Sequence, residues 1–138
     1  MKPTHIEHLG IAVKSLDESI PFFESLLGTP CYSIEEVKDQ KVRTAFFKVG
    51  QTKIELLEST DPEGPIGKFL EKRGEGIHHL AFAVENTGHS LKEAEEKGFA
   101  LIDKVARKGA EGMEIGFLHP KFTHGILIEF CSKAETTG

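Results

Sequence analysis

The feature that most constrains this chain is an internal echo. His8-Leu9-Gly10-Ile11-Ala12-Val13 returns half a chain later as His79-Leu80-Ala81-Phe82-Ala83-Val84. Each copy reads as a strand and runs into a helix-like stretch. After the first, Ser15-Leu16-Asp17-Glu18 has the form of a capping box, in which the Ser hydroxyl and the carboxylate satisfy helix-end amides. Leu16, Ile20, Phe23 and Leu27 then recur at helical spacing, and Gly28 suits the stop. After the second copy, Asn86 or Thr87 can cap, Leu91 and Ala94 face inward, and Gly98 ends the helix.

A second pair of like segments closes each half: Lys53-Ile54-Glu55-Leu56-Leu57 and Leu127-Ile128-Glu129-Phe130. The pattern predicts β-α-β-β-β twice, an α+β fold of two tandem βαβββ modules forming a cupped mixed sheet. Predicted strands lie near 5–13, 31–38, 41–49 and 52–58, then near 76–84, 101–107, 113–118 and 124–131. Residues 1–138 read as one domain, with module 1 at about 4–60 and module 2 at about 75–132. Between them, Asp61-Pro62-Glu63-Gly64-Pro65 is a linker, and a short helix from Ile66 to Arg73 ends at Gly74. The plainer alternative is two unrelated β-α units that look alike by chance.

Side-chain parity then gives the echo a chemical meaning. Strand residues alternate faces with period two. His8, Gly10 and Ala12 share one face, while Leu9, Ile11 and Val13 share the other. His79, Ala81 and Ala83 oppose Leu80, Phe82 and Val84 in the same way. The large apolar set must pack on the helices, so the histidine face carries only small residues and leaves room for something that is not protein. In the closing strands Glu55 opposes Ile54 and Leu56, and Glu129 opposes Ile128 and Phe130. Each half therefore offers one His and one Glu on the face away from its helix.

If the halves combine their sheets, His8, Glu55, His79 and Glu129 can converge. Two imidazoles and two carboxylates suit a divalent first-row metal with open or water-filled positions. Coordination would also remove the cost of burying two carboxylates, several kcal/mol each when left uncompensated. Taken singly, each residue has a bland reading: a lone strand histidine is usually a satisfied core or surface group, and a lone strand glutamate is usually solvated. Matched places in a duplicated unit favour the metal. His78 points to the other face and reads as structural; His5 and His89 read as packing or solvent residues.

The totals exclude several classes. A net charge of −5 argues against a nucleic-acid partner. No apolar run approaches the roughly 20 residues that cross a bilayer, and Met1-Lys2-Pro3-Thr4-His5 lacks a signal-like apolar region. Cys31 and Cys131 form no CxxC pair. Reduced thiols in the cytoplasm are the resulting expectation.

With these residues in place, the chain resembles the vicinal oxygen chelate superfamily and, within it, the methylmalonyl-CoA epimerases. The matching runs begin with His8-Leu9-Gly10-Ile11-Ala12-Val13, Thr52-Lys53-Ile54-Glu55-Leu56-Leu57, and Gly64-Pro65-Ile66 through Phe69-Leu70. They continue with Gly76-Ile77-His78-His79-Leu80, Phe117-Leu118-His119-Pro120-Lys121 and Gly125-Ile126-Leu127-Ile128-Glu129, covering nearly the whole chain in order. The resemblance implies metal ligands at His8, Glu55, His79 and Glu129. It implies a divalent ion, cobalt first, with manganese, nickel or zinc as alternatives. It also implies interconversion of (2R)- and (2S)-methylmalonyl-CoA by proton removal and return at C2. Glu129 is the first base, with Glu55 or a bound water as the second carrier. Some relatives carry a further glutamate where Thr44 stands here, so the second carrier stays open.

For the CoA arm, the substrate-binding candidates are Lys53, Arg107, Lys108 and Lys121, with Lys41 and Arg43 also available by charge. The loop Lys108-Gly109-Ala110-Glu111-Gly112 reads either as a flap over substrate or as a plain hairpin connection. Two other functions remain open: a glyoxalase I-like lactoylglutathione lyase, which the glutamate at 55 resembles, and a non-catalytic small-molecule binding or resistance protein of the same fold. A homodimer is expected, since relatives often dimerise and the edges of small sheets invite pairing.

Overall fold

In a computed structural model, residues 1–134 are described. The fold is α+β, and the described residues form eight strands and three α-helices in the order β1 (His5–Ala12), α1 (Leu16–Leu27), β2 (Ser33–Val37), β3 (Val42–Val49), β4 (Thr52–Ser59), α2 (Pro65–Arg73), β5 (Gly76–Ala83), α3 (Thr87–Glu96), β6 (Arg107–Lys108), β7 (Met113–Phe117) and β8 (Ile128–Lys133). The βαβββ order thus occurs twice, with α2 between the copies. The chain divides into two compact units, His8–His78 on the one hand and Met1–Glu7 with His79 onward on the other.

In the first unit the strands lie in the order β2-β3-β4-β1. β1 runs parallel to β4, and the other pairs are antiparallel. Helix α1 starts where the sequence places its cap: Ser15 accepts the Glu18 amide on its side chain, and Gly28 closes the helix at φ 65°. A left-handed φ favours glycine at that stop. Ile20, Phe23 and Leu27 of α1 pack on Val13, Ala45, Phe47 and Leu56. The opposite sheet face is not wholly open. At its far end Ala12, Val42 and Leu57 are closed over by Ile66, Phe69 and Leu70 of α2. Ala12 and Leu57 of this cluster stand on the same strand faces as His8 and Glu55.

In the second unit the order is β5-β8-β7-β6, with β5 and β8 parallel. Asn86 caps α3 by accepting the His89 amide at 2.9 Å. Leu91 and Ala94 bury against Val84, Leu118 and Phe130. Gly116 permits this seat: a Cβ there would lie 2.6 Å from Leu91 Cδ1. Thr87 and Ser132, both buried, share a hydroxyl pair at 2.7 Å that ties the start of α3 to β8. On the other face Ala81, Ile115, Phe117 and Cys131 form a separate cluster. No helix among the described residues is long and apolar enough to cross a membrane.

Two expected strands are corrected here. Residues 101–107 do not run as a strand: Leu101 makes one bridge to Leu118, and pairing resumes only at Arg107–Lys108. The amides of Ile102 and Asp103 both donate to the Phe117 carbonyl, and Asp103 Oδ2 accepts the Phe117 amide. A side chain thus takes the bond that a ladder partner would have made, and the segment bends away. The strand expected at 124–131 begins only at Ile128 and continues to Lys133. His124 and Gly125 have φ of 63° and 88°, and the Gly125 amide bonds the Pro120 carbonyl, so the preceding residues form a turn.

Candidate metal centre

Each unit builds one histidine–carboxylate pair from the same local plan. In the first, Gly10 of β1 stands opposite Glu55 of parallel β4, and His8 lies two residues earlier on the same face. The imidazole Nδ1 comes within 3.2 Å of Glu55 Oε2. In the second, Ala81 of β5 stands opposite Glu129 of parallel β8, and His79 Nε2 lies 3.5 Å from Glu129 Oε1. All four residues are buried. In both pairs the residue opposite the carboxylate, two places after the histidine, is small: Gly10 and Ala81.

The antiparallel neighbours repeat too. Phe46 is the register partner of Glu55, and Phe117 is that of Glu129. Each carboxylate is thus held between a small residue and a buried aromatic ring. The Phe117 ring also meets the His79 imidazole edge-on, with centroids 5.7 Å apart and planes at 89°. Such T-shaped contacts match the positive ring edge to a negative face. Buried carboxylates need a compensating charge or hydrogen bonds. An imidazole nitrogen beside a carboxylate oxygen is also a ligand pair that first-row divalent ions accept.

Three other histidines have different surroundings. His78 packs edge-on against Phe69 at 5.1 Å, and burial pushes its pKa down to about 4. It is neutral at neutral pH. His5 Nδ1 contacts the Thr4 hydroxyl, and His89 is exposed at the start of α3.

The basic candidates fall into three groups. Lys53 is half-buried and in register with His8 on one side and Lys48 on the other, so it shares the face of the first pair. Lys108 and Lys121 are exposed, the first in β6 and the second in the turn after β7. Arg107, Lys41 and Arg43 each contact a carboxylate, Asp103 at 3.1 Å, Asp61 at 3.4 Å and Glu58 at 3.2 Å respectively. The glycine loop after Lys108 is the connection between β6 and β7, with a 3-10 turn at Ala110–Gly112. Thr44 is fully buried on the Glu55 side of β3, opposite Leu57, and brings no carboxylate.

Three features escaped the sequence reading. Phe46 and Phe117 flank the glutamates, but only the strand register reveals it. Glu7 is buried although parity sets it opposite His8, and its carboxylate lies 3.8 Å from Cys131 Sγ. A buried acid directly before the histidine gives no period-two signal. The contact of Arg107 with Asp103 is an i,i+4 pair in a segment that reads as strand, where that spacing has no meaning.

Comparison with known proteins adds to this geometry. Residues 7–117 match the family model described as Glyoxalase/Bleomycin resistance protein/Dioxygenase superfamily. The chain is 40% identical over 126 residues to a Bacillus subtilis protein called uncharacterized protein YqjC, covering 91% of this chain and 90% of the relative. It is 33% identical over 126 residues to the ethylmalonyl-CoA/methylmalonyl-CoA epimerase of Cereibacter sphaeroides, covering 90% and 94%. Among solved structures, a variant of Streptomyces coelicolor methylmalonyl-CoA epimerase in complex with 2-nitronate-propionyl-CoA superposes with a TM-score of 0.92, at 34% identity and 96% coverage of each chain.

Proposed function

This chain belongs to the Glyoxalase/Bleomycin resistance protein/Dioxygenase superfamily, and on that premise we propose that it is a metal-dependent epimerase interconverting (2R)- and (2S)-methylmalonyl-CoA. The observation that carries the reading is the twofold occurrence of one buried arrangement, His8 with Glu55 and His79 with Glu129, in equivalent register. Full-length similarity to epimerases of this substrate supports it. A lyase or a binding protein of the same fold is the alternative that the assay below separates.

The donor set fits a divalent ion: two imidazoles and two carboxylates, buried and paired one to one. His8, Glu55, His79 and Glu129 would hold it together, and cobalt is the first choice among cobalt, manganese, nickel and zinc. When bound, such an ion supplies Lewis-acid polarisation of the thioester and carboxylate oxygens, on the order of several kcal/mol of charge stabilisation.

The chain's own groups do the proton work. The hydrogen at C2 lies between a thioester and a carboxylate and is acidic for that reason. A carboxylate oxygen of Glu129 takes it from one face and is left protonated, and the protonated carboxyl of Glu55 returns one on the other and is left as the carboxylate. Thr44 offers no carboxylate on β3, so a glutamate at that place is not available for the task. Phe46 and Phe117 flank these carboxylates and keep water from them. Lys53, on the face of His8, and the exposed Lys108 and Lys121 bind the anionic ends of the substrate. We place the enzyme in the cytoplasm, where Cys31 and Cys131 stay reduced, and expect it to work as a homodimer.

The test uses metal-loaded protein, one methylmalonyl-CoA diastereomer and heavy water. Deuterium appearing at C2 together with drift of the epimer ratio to equilibrium is the expected result. No exchange, with turnover of methylglyoxal plus glutathione, overturns the epimerase in favour of the lyase. Inactivity on both with metal bound favours the binder.

A further inference from the structure

Arg107 has a use that a surface cation bound only to water does not have. Its guanidinium lies over the Phe117 ring, 5.4 Å from the centroid. Its Nε contacts Asp103 Oδ1 at 3.1 Å, while Asp103 Oδ2 accepts the Phe117 amide at 2.9 Å. One carboxylate therefore grips both the backbone of Phe117 and the cation that covers its ring. Phe117 in turn stands opposite Glu129 and meets His79 edge-on at 5.7 Å. We infer that Asp103, Arg107 and Phe117 form a brace that positions His79 and Glu129, and that Arg107 is a positioning residue rather than a contact to the CoA phosphates.

Three observations point this way. First, the segment 101–106 abandons the strand path, and the bend is what delivers Asp103 to the Phe117 amide. Second, the planar guanidinium suits the role: it stacks on a ring and presents Nε at a fixed angle, which an ammonium cannot do. Third, Phe117 is buried, so a tilt of its ring is passed directly to the imidazole packed against it. A small misplacement of a ligand or base costs rate.

The inference rests on the epimerase reading for its kinetic arm and stands apart from it in its spectroscopic one. Wild type is compared with Arg107→Ala, Arg107→Lys and Asp103→Asn. Substrates are methylmalonyl-CoA and methylmalonyl-pantetheine, which lacks the nucleotide phosphates. The expected result is a fall in kcat of about tenfold for all three variants on both thioesters, with KM within about twofold of wild type. In the metal-free protein, the imidazole nitrogen signals of His79 shift in all three variants. A rise in KM confined to the CoA substrate and restored by Arg107→Lys makes Arg107 a phosphate contact and overturns the brace. Unmoved His79 signals with only a lowered melting temperature overturn it too, leaving a structural strut. If wild type exchanges nothing at C2, the function proposed above falls, and the His79 signals still decide the brace. If Arg107→Ala does not fold, the near-isosteric Asp103→Asn carries the comparison.

Discussion

Substituting Gly116 by alanine tests how the second unit seats its helix. The added Cβ would lie 2.6 Å from Leu91 Cδ1, 3.0 Å from Cδ2 and 3.1 Å from Cγ. Carbon atoms rest at about 3.5–4.0 Å, so something must move by about 1 Å. Leu91 has no exposed surface and is walled by Val84, Ala94, Leu118 and Phe130, so its side chain cannot swing into solvent. Overpacking of this kind costs about 1–3 kcal/mol. For a chain of this size a loss of ~2 kcal/mol lowers the melting temperature by roughly 6–8 °C. Urea titration of wild type, Gly116→Ala, Leu91→Ala and the double variant measures it. Leu91→Ala alone loses about 2–5 kcal/mol to a cavity. In the double variant the new methyl occupies part of that cavity, so the two losses should add to less than their sum by at least ~1 kcal/mol. A stability of Gly116→Ala within ~0.5 kcal/mol of wild type, or strict additivity in the double, would refute the close-packing argument.

Glu129→Gln should lower C2 deuterium exchange by about 10²-fold or more while far-ultraviolet circular dichroism stays unchanged, the usual scale for losing a positioned base; unaltered exchange would remove Glu129 from the proton path. A strong chelator should abolish exchange and lower the melting temperature, with cobalt restoring both, because an ion that binds only the folded chain stabilises it by mass action. His78 is neutral in the folded chain, its pKa pushed by burial from 6.5 to about 4. The unfolded chain therefore takes up the extra proton first. The stability contributed by the neutral ring is full above pH 6.5 and lost as pH falls from 6.5 towards 4, by at most about 1.4 kcal/mol per pH unit. Denaturant midpoints of metal-free wild type and His78→Phe should diverge across that window, wild type losing more; parallel curves would count against it.

Thr87 and Ser132 offer a control on the same unit. The Ser132 hydroxyl accepts the Thr87 amide at 3.0 Å and pairs with the Thr87 hydroxyl, which also reaches the Glu114 carbonyl at 3.1 Å. Ser132→Ala strands a buried amide and should cost about 1–3 kcal/mol in chemical denaturation.

Much of this protein is legible along the chain because the signals are local. The period of Leu16, Ile20, Phe23 and Leu27 makes α1, Ser15 and Gly28 bound it, and the duplication at His8 and His79 gives the βαβββ order. Side-chain parity also places each histidine and glutamate on one face of its strand, because alternation depends only on neighbouring residues. What parity cannot supply is the partner across the gap. That Phe46 faces Glu55 and Phe117 faces Glu129 follows from register, and register is set by the whole sheet. Likewise the run at 101–107 has strand composition, yet Asp103 spends its carboxylate on the Phe117 amide and on Arg107, and the strand yields. The sequence by itself determined which residue types stand on which face. Only the tertiary structure decided which of them touch, since a contact between residues far apart in the chain is a property of pairing and packing and leaves no periodic trace.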